Sequence, residues 1–123
     1  MQEKIKNFTD LIVWQRGHKL ALNIYKITDS FPKEERFSLT DQLRRAAVSF
    51  TSNLAEGFGR DKVNDKSHFY TMALGSLYET QNQLLIGRDL KYIEAKECGI
   101  LLDESVEISR MCNMLIKKVR SFT

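Results

Sequence analysis

The 123-residue chain reads as all-α: an antiparallel up-down-up-down four-helix bundle, one domain over residues 1–123. Three observations predict it. One proline, Pro32, and six glycines are few breakers for this length, which disfavours a sheet rich in turns. Apolar residues recur at alternating spacings of three and four in four separate segments, and no segment reads as a convincing strand. The segments are joined by short connections, which makes consecutive helices antiparallel neighbours.

The first helix is expected from about Leu11 to about Ser30. Its seam is Val13, Gly17, Leu20, Ile24, Ile27 and Phe31. Thr9 or Asp10 can cap its start, since a short side-chain oxygen accepts from an unpaired amide. Pro32 disfavours helix at Phe31 and so ends it. The second helix spans about Leu39 to Glu56, with Ser38 or Thr40 as candidate cap and the seam Leu39, Leu43, Ala46, Phe50, Leu54. Gly57 and Gly59 are expected to close it through a left-handed turn. The third spans about Asn64 to Gly87, on Tyr70, Ala73, Leu77, Thr80 and Leu84. The fourth spans about Glu94 to Arg120, on Cys98, Leu101, Ser105, Ile108, Cys112, Leu115 and Val119. Both cysteines fall on that stripe and read as buried thiols acting as small hydrophobes.

Hydrophobic and charged fractions of 42% and 28% are those of a globular protein, and the formal charge of +3 is a mild basic bias. No window approaches the ~20 apolar residues of a membrane span, and the first residues carry no signal-like apolar stretch. The expectation is a cytoplasmic protein without a membrane partner.

The helices carry apolar residues beyond one seam each. Leu11, Trp14, Leu22 and Tyr25 lie off the first seam, with His18 among them. Ile100, Met111 and Met114 lie off the fourth. The outer side of the second helix carries small groups, Val48, Ser49 and Ser52, beside Arg45, and can be approached closely. Trp, Tyr and Met are enriched where subunits meet. A homo-oligomer interface is therefore read on Leu11, Trp14, Tyr25, Val48, Ser52, Met111 and Met114. A wide core stripe would use the same residues.

No constellation for metal or nucleophilic chemistry is traced. His18 and His68 are the only histidines, neither follows a glutamate by three residues, and no CxxC occurs. No metal, cofactor or catalytic residue is assigned. Ser49, Asn53, Glu56 and Glu79 lie beside the seams and read as a hydrogen-bonded layer fixing register, or alternatively as a carboxylate pair, Glu56 and Glu79, of a bundle enzyme. Arg44, Arg45, Arg60 and Lys62, from a wider set with Arg36 and Lys66, are the candidate phosphate contacts. Lys117, Lys118 and Arg120 are expected as a separate patch at the other end of the bundle.

The ordered set Asp10-Leu11-x-Val13-Trp14, Phe31-Pro32-x-Glu34-Glu35, Gln42-Leu43-Arg44-Arg45-Ala46-Ala47-x-Ser49, Asn53-x-Ala55-Glu56-Gly57 and Gly75-Ser76-x-x-Glu79 resembles the four-helix bundle proteins encoded within intervening sequences of bacterial 23S ribosomal RNA genes. It is similar in fold to the accessory protein of diversity-generating retroelements. The resemblance implies a bundle that assembles into a pentameric ring, and for the retroelement relatives it implies binding of nucleic acid and of a reverse transcriptase through basic surfaces. No established activity comes with the intervening-sequence members. One departure is Phe50-Thr51, where the pattern has a smaller aliphatic residue and proline; without that proline the second helix should run regularly. Together these readings give a non-enzymatic homo-oligomer binding structured RNA or a ribonucleoprotein partner, with a protein-interaction scaffold as the alternative.

Overall fold

A computed structural model describes residues 4–122. Four helices run α1 (Ile12–Thr28), α2 (Leu39–Phe58), α3 (Val63–Asp89) and α4 (Ala95–Arg120), with short 3₁₀ turns at Phe8–Asp10 and Lys33–Glu35. No strand occurs among the described residues. Each helix packs on the next and α4 closes on α1, most intimately between α2 and α3. The direction alternates, as the cross-links reveal. The Ser49 and Ser76 hydroxyls lie 2.9 Å apart between α2 and α3. Between α4 and α3, the Cys98 thiol meets the Leu84 carbonyl and the Cys112 thiol meets that of Tyr70.

The seams form the core. Ile24, Leu43, Leu54, Ala73, Leu77, Leu84, Ile108 and both cysteines are wholly enclosed. Thr80 and Ser105 join them because each hydroxyl donates back to a carbonyl of its own helix, so neither leaves a polar atom unpaired. Late in α4 the buried position is Ile116, with Leu115 only half-buried, because the straight helix drifts off a strict seven-residue repeat.

Several terminal expectations are corrected. Neither Thr9 nor Asp10 caps α1. Asn7 caps the preceding 3₁₀ turn, and the Asp10 carboxylate accepts from the Lys6 and Asn7 amides, which holds its carboxyl below the usual carboxylate range. Ser38 stands before α2 without capping it; its hydroxyl donates to Glu35. Thr40 is buried, with its hydroxyl unpartnered. Gly57 and Gly59 make no left-handed turn: α2 continues through Gly57, and Gly59 has φ −77°. Gly57 is required for space instead, since a β-carbon there would stand 2.7 Å from the Tyr70 ring. The left-handed residue is Lys91 (φ 67°), between α3 and α4. With no proline at Thr51, α2 is continuous.

The alternation gives the bundle two ends. The basal end holds the start of α1, the α2–α3 turn and the close of α4. The apical end holds the α1–α2 and α3–α4 connections, joined where the Tyr92 hydroxyl donates to Glu35 at 2.9 Å and its ring packs on Phe31.

Candidate nucleic-acid interface and assembly faces

The four candidate phosphate contacts do not form one cluster. Arg45 and Arg60 are fifteen residues apart on a helical path, a separation of roughly 22 Å along the bundle. Arg44 is apical and committed to the fold. Its guanidinium donates to Thr28 Oγ1 at 2.8 Å, to Asp29 at 3.1 Å and to the Tyr25 carbonyl, and it lies over the Tyr25 ring. This arginine closes the last turn of α1, whose carbonyls have no helical partners of their own. Arg45 is exposed and pairs with Asp41 one turn earlier.

Arg60 and Lys62 sit together at the basal α2–α3 turn. Arg60 stacks over Phe69 at 4.7 Å and touches Glu56 at 3.3 Å, with about half its side chain still in solvent. Lys62 is exposed immediately before α3. Lys66, in contrast, is spent on structure: its ammonium donates to the carbonyls of Gly57 and Phe58 at 2.9 and 2.8 Å, closing α2, and burial lowers its pKa.

The position of the α4 terminus corrects the sequence reading. Arg120 Nε donates to Ser67 Oγ at 3.0 Å, near the start of α3. An up-down-up-down chain returns its fourth helix to the end where its second finished, so Lys117, Lys118 and Arg120 share the basal end with Arg60 and Lys62. Lys4 and Lys6 lie there too, at the start of the described chain. Against these stand Asp10, Glu56, Asp61 and Asp65, half as many acids as bases when Lys66 is counted. The charge excess of the chain is concentrated at this end.

Three of the four polar residues beside the seams, Ser49, Asn53 and Glu79, make side-chain hydrogen bonds off the core. Asn53 Nδ2 donates to the Ser49 carbonyl and hydroxyl, and Ser49 reaches Ser76. Glu79 accepts from Gln83, which in turn reaches Gln42 at 3.5 Å. Glu56 is outside this layer, exposed beside Arg60. From the Ser49–Ser76 level, Glu56 lies seven residues towards the basal end and Glu79 three towards the apical end. The two carboxylates are therefore about 15 Å apart along the axis, which removes the paired-carboxylate arrangement of a bundle enzyme. Gln42 and Ser76 stand in the motifs that carry the family resemblance, but their place in this layer, like that of Gln83, emerges only from the helix pairing.

The outer apolar residues divide between two faces. Tyr25 and Val48, each about two-fifths exposed, flank Arg44 in the α1/α2 groove. Ser52 is exposed on the same outer side of α2. Trp14 is half-buried, against the core, and stacks on His18 with ring centroids 4.8 Å apart. Leu11 is buried at 8% exposure: the 3₁₀ turn folds it inward, and its side chain belongs to the core, not to an outer surface. Met111 faces α1, where its sulfur lies 3.6 Å from the Arg16 guanidinium, and Met114, one turn on, is 69% exposed.

Both thiols are free and buried, an environment that disfavours the reactive thiolate. Desolvation pushes Cys112 up to about 12 and raises Cys98 as well. Among the described residues no group of three His, Cys, Asp or Glu side chains is placed to hold a metal ion, and no helix is long and apolar enough to cross a membrane.

Residues 9–114 match the family described as 23S rRNA-intervening sequence protein. The fold is similar to the crystal structure of a protein with unknown function from the S23 ribosomal protein family of Bacteroides thetaiotaomicron VPI-5482, at TM-score 0.77 and 22% identity over 86% of this chain and 99% of that one. No curated protein matches.

Proposed function

The chain belongs to the 23S rRNA-intervening sequence protein family, and on that premise we propose that it is a non-enzymatic, cytoplasmic, self-assembling helical bundle that presents its basal end to structured RNA or a ribonucleoprotein. The observation that carries this reading is the convergence of Arg60, Lys62, Lys117 and Lys118 at the basal end, beside Arg120. Arg60 is held against the Phe69 ring with about half its side chain in solvent, so a phosphate that displaces the exposed Glu56 contact could engage its guanidinium. One protomer offers only a handful of such groups. A closed cyclic assembly, pentameric on the family resemblance, repeats them on one side, and multivalent contact with a polyanion then gains affinity without new chemistry.

Sedimentation of the purified protein, alone and with a structured RNA, tests both halves. The reading expects a species heavier than one chain and co-sedimentation that falls steeply between about 50 and 200 mM salt, because bound phosphates release counterions. A species indifferent to RNA at low salt would instead support the scaffold reading, for which Tyr25 and Val48 on the α1/α2 face are the exposed apolar groups.

A further inference from the structure

Beside Arg60 the surface of α2 is hollow. A cavity of about 590 Å³ opens there, lined by Ser52, Ala55, Glu56, Gly59 and Arg60. Arg60 both lines this hollow and lies over the Phe69 ring at 4.7 Å. Phe69 is steadied in turn by His68, whose ring meets it edge-on with centroids 5.6 Å apart. One wall of the hollow is therefore a planar cation backed by an aromatic ring. The opposite charge is present as well: Glu56 Oε2 touches Arg60 at 3.3 Å, and the carboxylate stays exposed.

A phosphate uses the edge of a guanidinium, through its N–H groups. The face serves a second kind of contact, stacking on a planar π system. In RNA the groups with such a face are the bases. A base within a duplex has both faces stacked and its edge paired, so only an unpaired or extruded base can enter the hollow. An ionised carboxylate accepts hydrogen bonds and donates none, so Glu56 selects for donors. Guanine alone sets two donors side by side on its Watson–Crick edge, N1–H and the 2-amino group, matching two carboxylate oxygens. Adenine and cytosine place a ring-nitrogen acceptor beside the amino group, and uracil flanks its N3–H with carbonyls. Each of these turns a lone pair towards the carboxylate.

We propose that this hollow takes an unpaired guanine of an RNA strand, its ring stacked on Arg60 and its Watson–Crick edge on Glu56, while Lys62 holds a neighbouring phosphate. The platform is built before the RNA arrives: Phe69 and Glu56 already hold Arg60, so little side-chain freedom is lost on binding. Lys62 is exposed two residues beyond Arg60, which sets a point charge beside the planar one. The proposal rests on the RNA-binding reading above and adds the element recognised, a single-stranded loop or bulge, and the base read within it.

The test titrates the full chain into short labelled uridine strands at about 50 mM salt, read by fluorescence anisotropy. The strands are identical except at the centre, which carries guanine, inosine, adenine or an abasic site. Guanine should bind at least about fivefold more tightly than adenine or the abasic site, with inosine, which lacks the 2-amino group, in between. Two variants locate the effect. Glu56→Gln should erase the preference for guanine while strengthening binding of every strand, since an acidic group leaves. Arg60→Lys keeps the charge but removes the plane, and should bring guanine and abasic strands to equal affinity. Wild-type protein that binds all four strands equally overturns the base site and leaves phosphate-only recognition standing. A guanine preference that survives both variants overturns its assignment to this hollow. Failure to bind any of these strands or a structured RNA at low salt overturns the RNA reading as well.

Discussion

The Phe50 ring lies directly over Gly17. A β-carbon at position 17 would stand 2.6 Å from ring Cδ2 and closer still to Cε2. Phe50 is 1% exposed and enclosed on its other sides, so the ring has nowhere to go. Gly17 is what lets α1 approach α2 at mid-helix.

Gly17→Ala should therefore destabilise the fold despite alanine's better helix propensity. Overpacking of this kind costs about 1–3 kcal/mol, against a gain of about 1 kcal/mol from propensity. An approach this short, on a ring this confined, belongs at the upper end, giving a net loss of about 1–2 kcal/mol. Thermal unfolding should show Tm lower by roughly 4 °C per kcal/mol of stability removed. In a Phe50→Leu background the same substitution should be nearly harmless, and a double-mutant cycle without coupling would refute the account.

Gly75 sits in the middle of α3 with nothing within 4 Å of the place a β-carbon would take. It is exposed and helical, so glycine there only loosens the unfolded chain. Gly75→Ala should stabilise the protein by about 0.5–1 kcal/mol, read as a higher urea midpoint with an unchanged slope. The opposite signs at positions 17 and 75 separate a glycine kept for packing from one that the monomer does not need.

The bundle was legible because the seams are nearly unbroken: Leu43, Phe50, Leu54, Tyr70, Leu77, Leu84, Ile108 and Cys112 all face inward as their spacing predicts. The helix ends were less legible. Asn7, Ser38 and Gly59 carry residue types that suit several turn geometries, and the chosen one depends on tertiary contacts such as Lys66 reaching the carbonyls of Gly57 and Phe58. The candidate sites were least legible. Helical phase states that Tyr25 and Met114 lie off the seam, but not which neighbour stands on which side. Likewise Arg44 looks like a free cation in sequence, and only Thr28 and Asp29 arriving from α1 reveal its occupation.

The apical end should be sensitive to acid through Glu35. Its carboxylate accepts from the Ser38 hydroxyl, the Tyr92 hydroxyl and the Leu39 amide, in that order of influence, and these hold its pKa below the ordinary carboxylate value. A depressed folded-state pKa means the charged form is favoured by folding. Its contribution is complete above the unfolded carboxylate pKa and is lost as pH falls through the folded one. Glu35→Gln should therefore be less stable than the wild type near pH 7, and the difference should shrink as the pH is lowered through the carboxylate range. Urea midpoints measured at several pH values check this; a gap that stays constant into strong acid would exclude the ionised carboxylate as its source.

Arg44 and Lys62 look alike as candidate phosphate contacts in the sequence, yet their placements require opposite phenotypes. Removing the Arg44 guanidinium leaves the buried Thr28 hydroxyl and the last α1 carbonyls with fewer partners and strips the cover from Tyr25. Arg44→Ala should cost about 1–2 kcal/mol of stability and leave the salt dependence of RNA binding unaltered. Lys62 supports nothing within the described chain beyond the exposed start of α3. Lys62→Ala should leave Tm unchanged while lowering RNA affinity uniformly across sequences. It should also reduce the log–log salt slope by about 0.7–0.9 for each phosphate that is no longer neutralised. Because an oligomer presents one Lys62 per chain, the slope change also counts how many protomers touch the RNA at once. An unchanged slope with Lys62→Ala, together with a reduced slope for Arg44→Ala in still-folded protein, would move the phosphate contacts to the apical half of α2.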